Sequence, residues 1–191
     1  MTCRGGKILA KRFRRKTEAQ RYVPQQNNCR GCMRRKQGEF SMIRKANEND
    51  REEFIRLSEQ FYHSPAVLHP VPRTYHESLF DEALRSDEYA GVYMVEDEGR
   101  TVGFGVTAKS FSREAGGRVL WLEELYILEE CRGRGLGKEY FSFIENYARE
   151  HGFMRIRLEV EPENVRARSL YERLGYRPLE YLQMVKENGG F

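Results

Sequence analysis

Hydrophobic residues along the chain follow two different spacings, and each spacing predicts one type of element. Short apolar or alternating runs predict strands, whereas apolar residues three and four positions apart predict helices. The predicted strands are residues 42–45, 89–95, 101–107, 119–128, 154–160 and, as a candidate last strand, 182–185. The predicted helices follow Asn49, span residues 75–84, run from Leu136 towards Gly152, and follow Asn164 up to Gly175.

Polar residues, glycines and prolines mark the predicted helix ends. Asn49 is expected to cap the first helix, with Glu52 three residues later completing a capping box. Asn164 is expected to cap the last helix, and Gly152 to end the third. Prolines within residues 63–73 predict a loop between the first and second helices, because proline breaks a helix interior.

The order of these elements predicts the fold class. One strand and two helices come first, a hairpin with a glycine at its tip follows, and strands then alternate with helices. Hairpins combined with strand–helix–strand units are typical of an α+β domain with a central mixed sheet. We therefore expect residues 42–191 to form one α+β domain.

Composition excludes several classes of protein. The chain has 191 residues, of which 39% are hydrophobic, and this length suits one domain with an appendage. Its mean hydropathy is −0.76, and it has neither an apolar run long enough to cross a membrane nor the apolar core of a secretory signal. Four cysteines are too few for a disulfide scaffold. We expect a cytoplasmic protein without membrane contact.

Charge is distributed unevenly along the chain. Residues 1–41 carry 12 Lys and Arg against two acidic residues, a net charge of +10, whereas residues 42–191 carry 21 basic and 27 acidic residues, a net charge of −6. The first segment has too little apolar surface to offset the entropy of ordering. We expect a disordered basic extension, or sequence upstream of a true start at Met42. Binding to nucleic acid or to an acidic membrane surface is the less favoured alternative.

Cysteines give little reason to expect a metal or a nucleophile. Cys29 and Cys32 form a CxxC pair, but residues 1–41 lack the fourth ligand that a zinc site needs. Cys131 precedes the glycine-rich loop without a histidine near it in sequence. We expect no metal site.

A glycine-rich loop lies between the strand at residues 119–128 and the third helix. Glycine permits sharp turns and close approach of the main chain to a ligand, and the free N–H groups at a helix start attract anions. The pattern lacks the Gly-Lys-Ser/Thr of a Walker loop and the G-x-G-x-x-G spacing of a dinucleotide-binding fold. Basic side chains at the same place favour a pyrophosphate-binding loop. Its candidate residues are Arg132, Gly133, Arg134, Gly135, Leu136, Gly137 and Lys138.

Two adjacent carboxylates interrupt the most apolar strand. Glu123 and Glu124 stand within residues 119–128, a run that predicts a strand covered on both faces. Side chains alternate along a strand, so the two acids point to opposite faces unless a bulge intervenes. Burying an unpaired carboxylate costs several kcal/mol. At least one acid is therefore expected at a cleft, unless both are paired with arginines.

The loop, the acids and the last helix together resemble the GNAT superfamily of CoA-dependent N-acetyltransferases. The acetyl-CoA loop of that family, R/Q-x-x-G-x-G/A, is matched by Arg132, Gly135 and Gly137. Its last helix commonly carries Asn, Ala, Leu-Tyr and Gly-Phe/Tyr in that order. The chain has Asn164, Ala167, Leu170-Tyr171 and Gly175-Tyr176.

The resemblance covers residues 42 to about 186 and has no counterpart for residues 1–41. Leu-Glu-Glu-Leu at residues 122–125 is similar to the Leu-Glu-Asp-Phe of spermidine/spermine acetyltransferases. The resemblance implies the GNAT fold: a mixed, mostly antiparallel sheet that splays between its fourth and fifth strands, flanked by about four helices.

The resemblance also implies direct acetyl transfer from acetyl-CoA to an amine in a ternary complex. Glu123 is the first candidate for the base that removes the proton of the amine, and Glu124 is the second candidate or an amine-binding partner. Tyr171 is the candidate proton donor to the departing thiolate. Main-chain groups are expected to bind the pantetheine arm, and Asn164 is expected to combine capping with CoA contact. These further cofactor contacts are Leu125, Ile127 and Asn164.

The resemblance implies an amine acceptor but does not identify which amine it is. The early helices and the loop between them are expected to wall the acceptor side, with candidates Tyr62, His63, His69, Arg73 and Tyr75. We expect a small polyamine-like or amino-acid-like primary amine as acceptor. A protein N-terminus or lysine is the alternative acceptor, and a non-catalytic acyl-CoA-binding module is the alternative of another class. Domains of this family often pair, which makes a homodimer one alternative to a monomer.

Overall fold

The computed structural model describes residues 41–64, 67 and 69–186. The predicted basic extension and its CxxC pair lie outside the described residues. The elements are β1 (Ser41–Lys45), α1 (Arg51–Tyr62), α2 (Arg73–Arg85), β2 (Ala90–Asp97), β3 (Arg100–Ser112), β4 (Gly117–Ile127), α3 (Leu136–Glu150), β5 (Arg155–Leu158) and α4 (Val165–Arg173), with 3₁₀ turns at Glu48–Asp50 and Glu129–Cys131.

Within the described part of the chain, five strands form one mixed sheet in the order β1-β2-β3-β4-β5. The pairs from β1 to β4 are antiparallel, and β4 and β5 are parallel. The β2–β3 hairpin turns at Glu98 and Gly99, whose φ angles of 52° and 74° suit the tight turn that joins twisted strands. The mixed sheet with helices on both faces confirms the predicted α+β fold.

The parallel pairing of β4 with β5 ends before β4 itself ends. The two strands pair from Val119–Arg155 to Leu122–Leu158, whereas β4 continues to Ile127. The pair is parallel because α3 returns the chain to the same end of the sheet. Within the described residues, no strand pairs with the outer edge of β4 beyond Leu122. This confirms the predicted splay between the fourth and fifth strands.

Each face of the sheet is covered by a different pair of helices. Helices α1 and α2 pack around Phe54, whose ring centroid lies 5.2 Å from that of Phe80 and 5.1 Å from that of Phe104. Helices α3 and α4 cover the other face, around Tyr140 and Ile144. Burial of each large apolar side chain stabilises the fold by about 2 kcal/mol, so these two layers hold the helices on the sheet.

The entry to α1 differs from the prediction. Asn47 caps the 3₁₀ turn Glu48–Asp50 that leads into α1: its side chain accepts the N–H of Asn49 at 3.0 Å, and the Asp50 carboxylate accepts the N–H of Asn47 at 2.8 Å. The predicted cap at Asn49 with Glu52 is therefore wrong. Asp50 also forms an ion pair with Arg44 at 2.7 Å, and this contact with β1 fixes which asparagine caps.

The start of α4 and the end of α3 lie where they were predicted. The Asn164 side chain accepts the N–H of Ala167 at 3.1 Å and caps α4. His151 is the last residue associated with α3, and Gly152 follows with a φ of 68°, the left-handed conformation that ends many helices.

The predicted last strand at residues 182–185 does not form. The described chain after α4 contains no strand, and Leu182, Met184 and Val185 are 94%, 96% and 84% exposed. An apolar run satisfies strand propensity, but a strand also needs a neighbouring edge to pair with. The prediction is wrong because the run does not pair with β5.

Gly105 sets how closely α3 approaches the sheet. A Cβ at this position would lie 2.2 Å from ring atoms of Tyr140, a side chain with no exposed surface. We expect Gly105→Ala to lower the free energy of unfolding by about 1–3 kcal/mol, measured by urea denaturation.

Gly137→Ala is the matched control for this substitution. A Cβ there would make only ordinary contacts, at 3.9 and 4.0 Å, and the residue is helical, so its stability should be equal or higher by up to about 1 kcal/mol. Equal losses in the two variants would contradict the close packing at Gly105.

Candidate active site

A β-bulge separates the two acids of β4. Val106 of β3 pairs with Glu124, and the next β3 residue, Thr107, pairs with Leu122, so Glu123 is the extra residue. A bulge interrupts the alternation of side chains along a strand. Glu123 is exposed, whereas the Glu124 carboxylate turns inward.

The Glu124 carboxylate is held by α1. The Tyr62 hydroxyl donates a hydrogen bond of 2.7 Å to Glu124 Oε1, while Oε2 is buried and has no hydrogen-bond partner among the described residues. Burial raises the pKa of Glu124 to about 7; the Tyr62 hydrogen bond lowers this pKa, and the charge of Glu123 raises it. A carboxyl group with a pKa near neutrality can exchange a proton at physiological pH.

Glu123 has different surroundings from its neighbour. Partial desolvation, and then the charge of Glu159, raise the pKa of Glu123. Glu159 directly follows β5. Glu123, the bulge residue of β4, therefore lies near the end of β5. The carboxylates of Glu123 and Glu159 are exposed and place negative charge where β4 and β5 separate, which favours a cationic ligand there.

The glycine loop turns directly into α3. Gly133 and Gly135 have φ angles of 82° and 92°, which side-chain-bearing residues rarely adopt, and Gly135 is the N-cap residue. Gly135 has no side chain with which to cap α3, and the N–H groups of a helix's first turn have no partner within the helix and attract anions. Leu136 is 2% exposed and anchors this turn in the core.

Arg134 is bound to acids of the β2–β3 hairpin. Its guanidinium forms ion pairs with Asp97 at 2.8 Å and with Glu98 at 2.9 Å, and Asp97 is 2% exposed. From the sequence, this cation was predicted to contact the ligand. The structure instead shows it fastening the loop to the sheet, and its contact with a cofactor stays a prediction.

Arg132 and Lys138 complete the basic side chains of the loop. Arg132 Nε donates a hydrogen bond of 2.9 Å to the carbonyl of Ile127, and its guanidinium carbon lies 5.9 Å from the centroid of the Tyr126 ring. The Ile127 carbonyl was expected to bind the pantetheine arm, as were the main-chain groups of Leu125 on the same free edge. Arg132 thus ties the loop to that edge. Lys138 is exposed.

Tyr171 and Asn164 lie on and before α4. The Tyr171 ring packs on Phe141 of α3 at 5.4 Å and on Tyr176 at 6.2 Å, and burial raises the pKa of Tyr171. The hydroxyl therefore keeps its proton at neutral pH, as a proton donor requires. The capping hydrogen bond accounts for the Asn164 side chain, so its contact with CoA stays a prediction.

Of the predicted acceptor-side residues, Tyr62 is the one that reaches an acid of β4. His63 and His69 are exposed, and His63 Nδ1 lies 2.7 Å from the carbonyl of Glu59. Tyr75 is 51% exposed. Arg73 forms ion pairs with Glu52, Glu59 and Glu77 at 3.1–3.3 Å.

His76 was not among the residues predicted from the sequence. This side chain is 3% exposed, and its Nδ1 lies 2.8 Å from the hydroxyl oxygen of Ser58. His76, Phe80 and Ala83 share the buried face of α2, so helical spacing in residues 73–85 was the signal that could have found it.

The described residues form neither a metal-binding cluster nor a membrane-spanning helix. They contain no group of three or more His, Cys, Asp or Glu side chains that could hold a metal ion. Their helices include none that is both long and apolar enough to cross a membrane.

Comparison with known sequences places the chain among acetyltransferases. Residues 51–176 match the model of the Acetyltransferase (GNAT) family. The chain is 29% identical over 153 residues to a thialysine N-epsilon-acetyltransferase of Bos taurus, covering 73% of this chain and 86% of the relative. It is 28% identical over 137 residues to an uncharacterized N-acetyltransferase of Bacillus subtilis, covering 70% and 88%. The similarity to spermidine/spermine acetyltransferases stays a prediction.

Solved structures share the fold. A possible acetyltransferase from Clostridium difficile 630 superposes with a TM-score of 0.69 at 19% identity, covering 78% of this chain and 99% of that chain. An aminoglycoside N-acetyltransferase in complex with CoA superposes with a TM-score of 0.66 at 20% identity, covering 80% and 98%. At this identity the likeness concerns the fold alone, and it confirms the predicted architecture.

Ionisation of Glu124 should destabilise the fold. Its pKa rises on folding from 4.5 to about 7, so the folded state holds this proton more tightly, and stability falls as the pH rises through that interval. Glu124→Gln keeps an acceptor for Tyr62 without the charge. We expect its stability relative to the wild type to increase by about 2 kcal/mol between pH 5 and pH 8, measured by urea denaturation.

Glu88→Gln is the control for this measurement. Glu88 is exposed on the connection between α2 and β2, so its substitution should change stability equally at both pH values. A pH-independent effect of Glu124→Gln would show that Glu124 is not buried as described.

Proposed function

This chain belongs to the GNAT acetyltransferase family and is an N-acetyltransferase, and from that premise we propose that it transfers the acetyl group of acetyl-CoA to the primary amine of a small molecule. An amino-acid-like acceptor is favoured, because one relative is named for acetylation of thialysine at its ε nitrogen. The exposed acids Glu123 and Glu159 at the separating strands suit a cationic acceptor.

The donor side of the proposal is supported by the loop and the free strand edge. The start of α3, whose N-cap residue is Gly135, offers main-chain N–H groups to a diphosphate, and Gly133 and Gly135 allow close approach. The free edge of β4 beyond Leu122 offers main-chain groups to the amide-bearing pantetheine arm, as a neighbouring strand would.

The position of Glu124 is the observation that carries the proposal. Its carboxylate is buried, has one oxygen without a partner among the described residues, and belongs to the same free edge of β4 as the predicted donor site. Its pKa of about 7 suits a general base at neutral pH. From the sequence, Glu123 was the first candidate for the base. We now assign the base to Glu124 and amine attraction to Glu123, because Glu123 is exposed.

Proton transfer is the demanding step for such an acceptor. An alkylamine with a pKa near 10.4 is neutral in only about one molecule in 2,500 at pH 7. The ionised Glu124 carboxylate takes one proton from the ammonium group and later releases it to solvent. Bound acetyl-CoA supplies an activated thioester, whose C–S bond breaks as the amine nitrogen forms the new C–N bond. Tyr171 donates its hydroxyl proton to the departing sulfur and regains the proton that the amide nitrogen loses.

An amine panel with acetyl-CoA, read by release of free thiol, tests the function directly. We expect turnover with basic amino acids or short diamines and kcat/KM that rises with pH through about 7. Glu124→Gln should lower kcat by about 10²–10⁴-fold and remove this pH dependence, and Glu123→Gln should have the smaller effect. Glu88→Gln should match the wild type.

Several outcomes of this panel contradict the proposal. Turnover with N-terminal or lysine-containing peptides alone would support the protein-acetylating alternative. Tight CoA binding without turnover on any amine would support the acyl-CoA-binding module. A larger loss in Glu123→Gln than in Glu124→Gln would return the role of base to Glu123.

Gly135→Glu tests the donor site. The residue has a φ of 92°, and a glutamate would add strain, bulk and negative charge at the start of α3. We expect the Kd for CoA, measured by calorimetry, to increase by about 100-fold or more. Gly116→Glu is the matched control, because Gly116 has a similar φ of 74° in the β3–β4 turn, and it should bind CoA normally. Undiminished binding by Gly135→Glu would remove the loop from the site.

A further inference from the structure

A buried histidine lies behind the tyrosine that holds Glu124. His76 of α2 and Ser58 of α1 are 3% and 1% exposed, and His76 Nδ1 lies 2.8 Å from Ser58 Oγ. Burial lowers the pKa of His76, so its ring is neutral at neutral pH. The hydrogen bond therefore joins two neutral groups, and it fixes the orientation of the imidazole ring.

The His76 ring supports the ring of Tyr62. The two ring centroids are 5.1 Å apart and the planes are inclined by 69°, an edge-to-face geometry that aromatic rings favour. Tyr62 is the last residue of α1, and helix ends are the least restrained part of a helix. The ring of Phe61 also packs on Tyr62, at 5.5 Å, and the contact from α2 adds a restraint from a second helix.

The groups around Glu124 have opposite effects on the ionisation of its carboxyl group. Among the described residues, the titratable groups that face it are Tyr62 from α1, Glu123 from β4 itself and Tyr140 from α3. Tyr62 donates a hydrogen bond to the carboxylate, which favours ionisation, whereas the charge of Glu123 disfavours it. Burial also raises the pKa of Tyr62, so this hydroxyl keeps its proton and remains a donor.

We propose that Tyr62 is a positioning residue for Glu124, and that the Ser58–His76 pair holds Tyr62 in place for this task. The proposal rests on the proposed function, since it concerns the carboxylate assigned there as the base. In this arrangement α1 and α2 determine where the carboxylate lies, and Tyr62 also determines the pH range in which it is ionised.

A titration of the Glu124 side chain tests the role of Tyr62 without turnover. NMR of protein with ¹³C-labelled glutamate carboxyl groups follows the titration, and Glu124→Gln identifies the resonance. We expect Tyr62→Phe to raise the pKa of Glu124 by about one pH unit, a tenfold change in proton affinity, because a hydrogen bond to the charged form is lost. Tyr89→Phe, which removes a hydroxyl from a residue that is 57% exposed, should cause no change. An unchanged Glu124 titration in Tyr62→Phe overturns the proposal.

A double-mutant cycle tests the Ser58–His76 pair. Ser58→Ala removes the hydrogen bond to His76 and changes the side chain little in size, so it is the first choice over His76→Ala, which opens a cavity. We expect Ser58→Ala to raise the pKa of Glu124 by less than Tyr62→Phe does, and to have no effect once Tyr62 is phenylalanine. Equal shifts in both backgrounds, or none in the wild-type background, overturn this half of the proposal.

Kinetics connect the titration to the reaction. In the amine assay, the acid limb of the pH profile of kcat/KM for Tyr62→Phe should move to higher pH by about one unit, the same shift as in the Glu124 titration. At pH 6, kcat/KM should therefore fall about tenfold relative to the wild type. A shifted titration with an unshifted acid limb would overturn Tyr62 as a positioning residue for the reaction. A wild type that acetylates no amine would contradict the proposed function, and the NMR titration would still decide the role of Tyr62.

Discussion

The early end of the pairing between β4 and β5 is the constraint on which the rest of the site depends. Pairing stops at Leu122 and Leu158, and β4 continues to Ile127 with an edge that no described strand covers. Main-chain donors and acceptors need partners, and a ligand that follows the edge can provide them. The bulge at Glu123 and the glycine loop lie at the two ends of this edge, so the acids and the proposed anion-binding groups share one surface.

The buried acid shows how reactivity opposes stability in this fold. Removing the Glu124 carboxylate from water raises its pKa to about 7, which destabilises the ionised protein and also makes the group an effective proton acceptor. Tyr62 limits the destabilisation through one hydrogen bond and leaves the second oxygen without a protein partner among the described residues. Features that weaken a fold locally often mark its functional sites.

The side-chain contacts of the glycine loop explain how its shape is maintained. Arg134 is tied to the buried Asp97 at the end of β2, and Arg132 to the carbonyl of Ile127, so the two guanidinium groups stabilise the loop against β2 and β4. In the proposed donor site, recognition of a diphosphate depends mainly on the main-chain N–H groups at the start of α3. Arg132 and Arg134 thus shape the loop, and its main chain is the proposed ligand-binding part.

The sequence by itself determined the succession of elements, the glycine loop, the cap at Asn164 and the presence of acids within an apolar strand. These features are local, because periodicity, caps and glycine conformations depend on neighbours in sequence. Tertiary structure alone decided which acid is buried, which partner Arg134 takes, which asparagine caps the entry to α1, and that residues 182–185 form no strand. The hydrogen bond between Tyr62 and Glu124 joins residues 62 positions apart, and the environment of a charged group is set by such distant contacts, which no local pattern contains.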